Sequence, residues 1–461
     1  MADHDEPDEP VRRARDVALL ARAEGGRALV VGGWVRDRLA GRPSKDIDLE
    51  VFGIPASRLR QALESLGRVE AVGESFQVYK VAGLDVALPR RESKTGRGHR
   101  GFDVTGDPSM TIEEAARRRD FTLNAMAWDP LSDEYLDPCN GRRDLNDRVL
   151  RAVDRDTFSD DSLRVLRAVQ LAARFELAID PDTRELCTSL PLDDLAPERV
   201  WGEIEKLLLA ARPSVGLALA RDLRVVERLF SELHALDGCP QEPEWHPEGD
   251  VWVHTLQVVD QARLRIDDLS RPKQITIMLG ALCHDLGKPA TTAFIDGRIR
   301  SIDHEAQGVA PASSLLDRLN VHSFDGYDVR HQVAGLVAQH LKPGMWFKVR
   351  DEVGDGAFRR LAQKVDLELL ARLATADCLG RFPGRFNCDA MVWFLQRAQQ
   401  LGVEHKAPAP LLLGRHLLSL GLAPGRRVGE ILSAIYERQL DGEVRTLEDA
   451  IGAARRMIEG R

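Results

Sequence analysis

The chain has 461 residues, of which 43% are hydrophobic and 30% charged, and a formal net charge of −9. That is too long for one ordinary core and predicts about two to four domains of a globular protein. The acidic balance argues against broad nonspecific affinity for nucleic acid, though not against a local basic surface, and no apolar run approaches the length that spans a membrane.

The opening residues, MADHDEPDEP, are acidic and lack the basic-then-apolar pattern of a signal peptide. They are expected to be disordered. Cysteines at 139, 187, 239, 283, 378 and 388 form no C-x-x-C pair, which predicts free thiols in a reducing cytoplasm. Residues 11–24 read as an amphipathic helix that ends at Gly25-Gly26. From 27 to 88 short strands alternate with helices, the strands falling at 27–31, 46–52, 67–72, 76–81 and 84–88.

Within this region, Leu29 to Gly53 reads as strand, glycine turn, short helix, loop and strand. Gly32 and Gly33 let the backbone turn sharply and approach a ligand, and Arg36 follows in the helix. In Asp46-Ile47-Asp48-Leu49-Glu50-Val51 acid and apolar residues alternate, so the acids share one face. Carboxylates side by side repel unless a cation sits between them. Asp46 and Asp48 therefore suit a pair of divalent metals in phosphoryl or nucleotidyl transfer; a solvated strand face is the plainer alternative. Asp85, in GLDVALPR, falls opposite Val86 and Leu88 and becomes a third carboxylate if its strand neighbours the first; Glu50 competes for that role.

Segment 90–103 is rich in Gly and charge and reads as a mobile loop. Its RRESKTGRGHR and the triplet Arg117-Arg118-Arg119 concentrate basic charge near the acidic strand, where a polyanionic substrate would use it. The arginines suit a triphosphate. Asp120 and Asn124, four apart, meet if helical and suit a ribose. Past about residue 140, Leu, Ala and Arg recur at three- and four-residue spacing and predict a helical body. There Asp161 and Arg164, three apart, form either an intrahelical ion pair or a base reader. Cytosine and adenine each present an amine beside an unprotonated ring nitrogen. A carboxylate accepts from the first and a guanidinium donates to the second, whereas uracil and guanine would leave a buried charge unpaired.

Taken together, LVVGGWVRDRLAG with KDIDLEV, RRRDFTLNAMAWDP, LDPCNGRRDL, SDDSLRVLRAVQLAARF and APERVWGEIEKLL resemble the class II tRNA nucleotidyltransferase and poly(A) polymerase family, in the family's order across roughly residues 27–210. The resemblance implies that Asp46 and Asp48 hold catalytic Mg2+. It implies that Arg117, Arg118 and Asp120 line the nucleotide pocket, with Asn124 near the ribose. Asp161 and Arg164 would be the template that selects CTP and ATP, and Arg167 a phosphate or base contact. The chain has Asp160 where the family motif has Glu. Segment 90–103 resembles the flexible loop of enzymes that add the full CCA to the tRNA 3′ end. A poly(A) polymerase or a partial CC- or A-adding enzyme shares the same catalytic blocks.

The second half carries histidines at 254, 284, 304 and 340. His284-Asp285 followed by Leu-Gly-Lys, with His254 upstream and Asp377 downstream, resembles the HD phosphohydrolases. Imidazole plus carboxylate suits Mn, Ni, Co or Zn, or Mg more weakly, and such a metal would generate hydroxide for phosphoester hydrolysis. His304 and His340 are further ligands or phosphate contacts, and Lys288 would steady a phosphate. A nucleotidyltransferase head before an HD body resembles a bacterial subset of CCA-adding enzymes with phosphatase and 2′,3′-cyclic phosphodiesterase activities. An HD hydrolase with a non-catalytic RNA-binding head is the alternative of another class.

The expected fold is α+β: a small α/β head with a polymerase-β-like palm, then an all-α neck, body and tail. The expected divisions are an acidic tail and first helix at 1–24, the head at 25–138, a neck at 139–235, an HD domain at 236–385 and a C-terminal tail at 386–461.

Overall fold

The structure is a computed structural model that describes residues 9–44, 46–72, 78–94, 102–381 and 387–459. The chain divides into two compact units: Met1–Leu207 with Val215–Leu229, and Leu208–Ser214 with Phe230–Arg461. Among the described residues no helix is long and apolar enough to cross a membrane.

The first unit is built on a mixed sheet. Its strands are Arg27–Val31 (β1), Asp48–Phe52 (β2), Glu70–Val72 (β3), Val78–Val81 (β4) and Leu84–Ala87 (β5). Arg90–Lys94 (β6) and Phe102–Gly106 (β7) follow, then Ala127–Asp129 (β8) and Glu134–Leu136 (β9). Seven of these order as β3-β4-β5-β2-β1-β8-β9. β1 and β2 run antiparallel, with Val31 opposite Asp48. β2 and β5 run parallel, with Asp48 opposite Asp85. Period-two alternation sorts the side chains. Val30, Leu49, Val51 and Val86 pack with Val17, Ala18 and Ala21 of the helix Glu9–Ala23. The opposite face carries Leu29, Val31 and Phe52 against Met110 and Ala115, and this is the face of Asp48 and Glu50. Segment 90–103 departs from the loop reading: β6 and β7 pair antiparallel from Arg90 opposite Gly106 to Lys94 opposite Phe102. Residues 95–101 lie outside the described residues, as does the acidic opening at 1–8.

The helix Leu163–Phe175 follows and is buried along most of its length. Asp160 and Asp161 precede it. Asp161 accepts a hydrogen bond from the Leu163 amide at 3.1 Å, an end-of-helix contact that takes up one of the unpaired amides of the first turn.

In the second unit the helices Val251–Arg263, Arg271–Cys283, Val329–Gln339 and Leu367–Arg381 pack on one another. It is not purely helical. Two hairpins interrupt it, Thr292–Ile295 with Arg298–Ser301 and Ser323–Phe324 with Tyr327–Asp328. Each turns on Asp-Gly with both residues at positive φ, Asp296-Gly297 at 52° and 77° and Asp325-Gly326 at 51° and 78°. This is the two-residue turn whose twist matches paired strands. The expectation of free thiols fails for one pair: Cys378 and Cys388 are disulfide-bonded, their Cα atoms 6.4 Å apart. They meet because the helix Leu367–Arg381 and the helix Asp389–Gln400 bring them together. Cys139, Cys187, Cys239 and Cys283 are free. A separate small core of Leu412, Leu417, Ile431, Ile435 and Ala450 holds the C-terminal helices.

Candidate active sites

In the first unit, Gly32 at φ 75° turns the chain from β1 into the helix Gly33–Leu39. That helix carries Arg36 inward, where it is buried. Arg36 Nη1 donates to Asn124 Oδ1 at 2.6 Å, Asn124 Nδ2 donates to Asp120 Oδ1 at 2.9 Å, and Arg167 Nε donates to Asp120 Oδ2 at 2.6 Å. Asp120 and Asn124 therefore meet as their spacing suggests, but through the 3-10 turn Thr122–Asn124 rather than an α-helix. Burial alone would raise the Asp120 carboxyl, but Arg167 and the Asn124 amide hold it below the usual carboxylate range. Burial lowers Arg36, which Asp37 opposes.

These groups line a cavity of about 450 Å3 with Gly32, Gly33, Asp48, Asp161 and Arg164. Nine of its residues are basic (Arg36, Arg90, Arg118, Arg119, Arg164, Arg167, Arg174, Arg199 and Lys206) and three are acidic (Asp48, Asp120 and Asp161). An acidic protein thus presents a locally cationic cavity, the electrostatics a polyphosphate requires. Of the arginine triplet, the structure turns Arg117 out to the exposed surface and brings Arg118 and Arg119 to the cavity. The helix Ile112–Arg117 stops at that point, so the following arginines leave its outer face.

Asp48 lines the cavity from the solvent-exposed start of β2. Its carboxyl is raised above the ordinary value by partial desolvation, with Asp85, Asp46 and Glu50 adding repulsion and Arg119 opposing. Asp46 is exposed just before β2 and is not part of the cavity wall. Asp85 is in register with Asp48 and accepts from Lys80 at 2.9 Å. Glu50 accepts from Arg119 at 2.7 Å. Acids that repel one another this way form a donor set of hard oxygens that fits a divalent cation.

Asp161 and Arg164 do not form the intrahelical pair. Asp161 bonds Arg199 at 2.7 and 3.2 Å. Arg164 donates to the Thr157 carbonyl at 2.8 Å and the Arg118 carbonyl at 2.9 Å. Both still line the cavity. Sequence reasoning missed Arg174, Arg199 and Lys206. Arg199 lay in the APERVWGEIEKLL block, but nothing local tied it to Asp161.

In the second unit, His254, His284, Asp285, His304, His340 and Asp377 are all buried and come together. Asp285 is central: its carboxylate lies 3.1 Å from His284 Nε2, 3.3 Å from His304 Nε2, 3.9 Å from His254 Nε2 and 4.0 Å from His340 Nε2. His254 Nε2 also lies 3.1 Å from Asp377 Oδ1. His284, His304 and His340 each present Nδ1 to the carbonyl three residues earlier, at 2.9, 2.8 and 2.8 Å. A carbonyl can only accept, so each Nδ1 carries a proton and Nε2 is the ring atom left for a ligand. The Nε2 atoms of His304 and His340 nevertheless stand 3.3 Å apart. Nε2 atoms that face one another and a carboxylate fit a bound cation. Burial, with His284 and His304 adding, pushes His340 down to about 3, leaving it neutral and able to ligate. Burial opposes ionisation of Asp285, but His284 and Lys288 hold it well below the usual range; Arg381 and His254 do the same for Asp377.

Two further residues were not anticipated. Glu248 Oε1 lies 2.9 Å from His254 Nδ1 and 2.8 Å from His246 Nδ1, a carboxylate behind a ligand histidine. The run HPEGDVWVH contained them. Lys288 Nζ lies 2.8 Å from Asp285 Oδ2 and donates to Gln241 Oε1 at 2.6 Å. The glycine of His-Asp-Leu-Gly-Lys also has a purpose. A Cβ on Gly287 would run into the His304 carbonyl and come within 2.6 Å of the Gly308 amide. Gly287→Ala should therefore displace the turn carrying His304. We expect a loss of about 1–3 kcal/mol in stability and weaker metal retention, read by thermal melting and chelator competition.

Residues 28–151 match the Poly A polymerase head domain, 176–236 the probable RNA and SrmB-binding site of polymerase A, and 251–380 the HD domain. A multifunctional CCA protein of Xanthomonas campestris pv. campestris (strain B100) is 38% identical over 421 residues, covering 88% of this chain and 96% of the relative. The crystal structure of the Bacillus stearothermophilus CCA-adding enzyme in complex with CTP shares the fold at 20% identity with a TM-score of 0.66, covering 99% of both chains. The Thermotoga maritima CCA-adding enzyme complexed with tRNA shares it at 19% identity with a TM-score of 0.57, covering 98% of this chain and 97% of that one. Fold and sites thus define an enzyme with a nucleotidyltransferase head and an HD domain of the hydrolase kind. Both domain types use divalent metal ions, and the histidines and Asp285 of the second unit gather donors for one. The chain belongs to the family of multifunctional CCA proteins.

Proposed function

We propose that this enzyme adds C, C and A to the 3′ end of tRNA from CTP and ATP, releasing pyrophosphate, and that its HD domain hydrolyses phosphoesters, including 2′,3′-cyclic phosphates. The observation that carries the first activity is the convergence, on one cationic cavity, of a strand carboxylate and the Asp161 and Arg164 side chains. A cavity of about 450 Å3 lies within the range of small-ligand sites.

Asp46 and Asp48 would hold Mg2+, with Asp85 the third carboxylate. Asp85 is favoured over Glu50 because it stands in register with Asp48 on the neighbouring strand. When bound, the ions lower the pKa of the attacking 3′-hydroxyl and stabilise the pyrophosphate leaving group. Gly33 gives the backbone close access to the nucleotide. Arg118, Arg167 and, in place of Arg117, Arg119 attract the triphosphate. Arg36 fixes Asn124, and Asn124 with Asp120 meets the ribose. Two carbonyls hold the Arg164 guanidinium in place to donate to a ring nitrogen. Arg199 holds the Asp161 carboxylate in place, and a carboxylate has acceptor sites to spare for the base amine.

In the second unit His254, His284, Asp285 and Asp377 would hold one metal, and His304 and His340 a second that shares Asp285. The donor mix suits Mn, Ni, Co or Zn ahead of Mg, and a bound metal supplies hydroxide near neutral pH. Lys288 steadies the phosphate. The enzyme would work in the cytoplasm on the tRNA acceptor end.

Extension of a tRNA trimmed to its discriminator base tests the first activity. With CTP alone it should stop at two added nucleotides, and with CTP and ATP at three. A growing ladder of A would make the enzyme a poly(A) polymerase. Asp161→Ala should raise misincorporation of U and G by about tenfold or more, since each base-edge hydrogen bond to a charged group is worth about 1.5–3 kcal/mol.

A further inference from the structure

Asp285, His304, His340 and Asp377 line a cavity of about 550 Å3. Another part of its lining is built around a disulfide. Cys378, next to Asp377, lines the cavity, and so do Asn387, Ala390 and Met391, which flank Cys388. The bond between Cys378 and Cys388 joins the helix Leu367–Arg381 to the start of the helix Asp389–Gln400. Arg381 ends the first helix and also lines the cavity, its Nη2 3.3 Å from Asp377 Oδ2. Upstream of Cys378 that helix is held by packing on the helices Val251–Arg263 and Arg271–Cys283. The bond adds a covalent anchor to the end that carries Arg381, a cation beside the metal donors and suited to a phosphate oxygen.

In a reducing cytoplasm disulfides are rare, and those that form are usually transient and redox-sensing. Cys187, Cys239 and Cys283 are free and buried, whereas Cys388 is partly exposed and its partner borders the cavity. Small thiols therefore reach this pair and not the buried cysteines. The two are 10 residues apart in sequence. Closing so short a loop adds little to the stability of the whole chain, so breaking the bond acts locally. Reduction proceeds by thiol–disulfide exchange. A thiolate of the reductant attacks Cys388 Sγ, and the electron pair of the broken S–S bond goes to Cys378 Sγ, which takes up a proton. A second thiol of the reductant attacks the mixed disulfide, frees Cys388 as a thiol and leaves the reductant as its own disulfide. Oxidation by a small disulfide is the same sequence in reverse.

We propose that Cys378 and Cys388 are a thiol-modification site that tunes the HD cavity to the redox state around it. Joined, they fix the Arg381 end of one helix and the Asn387 to Met391 wall in the arrangement that binds phosphate. Reduced, they release both, and the cavity binds phosphate more weakly. The proposal rests on the hydrolase and cytoplasmic readings above.

Its test compares two preparations of the full chain, one oxidised with glutathione disulfide and one reduced with dithiothreitol, both desalted without air and then loaded with Mn2+. Alkylation and peptide mass mapping should find Cys378 and Cys388 blocked in the reduced enzyme and protected in the oxidised one. With para-nitrophenyl phosphate the reduced enzyme should show a KM about two- to tenfold higher at similar kcat, the scale of ordering one long side chain on binding. Cys388→Ser should show the higher KM after either treatment, which separates loss of the bond from any action of the reductant on the metal. A pair that glutathione disulfide does not join, a KM that reduction does not move, or a Cys388→Ser variant that still responds would each overturn the proposal. If neither preparation cleaves the ester, the hydrolase reading fails and the switch is judged on binding. Calorimetry should then show inorganic phosphate binding more tightly to the oxidised enzyme, with the difference lost in Cys388→Ser. Equal affinities would overturn it.

Discussion

Asp48→Asn should abolish nucleotide addition while leaving the fold intact or slightly more stable. Asp48 is the acid of the β2 row that lines the cationic cavity, and it stands in register with Asp85. Replacing its carboxylate removes a metal ligand, and the several kcal/mol that a metal supplies at a phosphoryl transition state correspond to a rate loss of about a thousandfold or more. Stability should move the other way. Partial desolvation and the neighbouring acids raise the Asp48 carboxyl above its ordinary 3.8, an effect that solvent screening keeps small at this exposed strand end. A carboxylate raised in the folded state begins to cost stability as the pH rises past its unfolded value, and the cost is complete above the folded one. At neutral pH the asparagine variant is spared that cost. A melting temperature equal to or above wild type, together with lost addition, separates loss of chemistry from unfolding. Unimpaired addition would remove Asp48 from the catalytic set.

Asp285→Ala should abolish hydrolysis and lower stability steeply, and the two losses should separate when a second residue is changed. Asp285 is buried, as is Lys288, whose ammonium lies 2.8 Å away. Removing one partner of a buried pair leaves the other charge uncompensated, typically at a cost of about 3–5 kcal/mol. Denaturant unfolding with chelator present should show that loss. Asp285→Ala with Lys288→Met should recover most of it, because no orphaned charge remains, yet should not recover hydrolysis. Recovery of both would mean that Asp285 serves only as a counter-ion. Nucleotide addition by the first unit should survive in the double variant.

Much of this was legible in the sequence. The acids of β2 fall on one face because strands have period two, so Asp48 and Glu50 could be placed without coordinates, and Asp85 could be nominated on its own strand. Whether Asp85 met Asp48 depended on strand order, which local pattern does not encode; the parallel pairing of β2 with β5 brought them into register. The HD residues were legible as residue types, and their convergence is the work of helix packing. What escaped notice has identifiable reasons. Asp161 and Arg199 are 38 positions apart, so spacing favoured Arg164 as the partner. Which members of the arginine triplet face the cavity is decided by where the helix ends, which composition does not show. β6, RRESK, is a charged strand without apolar alternation, and with the Gly and charge that follow it the segment read as a loop. The two Asp-Gly hairpins were readable from their dipeptides but lay in a region dominated by helical periodicity. The Cys378–Cys388 bond had no spacing motif to announce it.

The central claim is that the first unit's cavity builds a fixed three-nucleotide sequence with no nucleic-acid template. It is tested most directly by sequencing the 3′ ends of a tRNA trimmed to its discriminator base after incubation with all four nucleoside triphosphates and Mg2+. The predicted result is that extended molecules end in CCA and grow no further, with U and G excluded. Ends carrying runs of A, or additions that follow nucleotide concentration without regard to base, would contradict it.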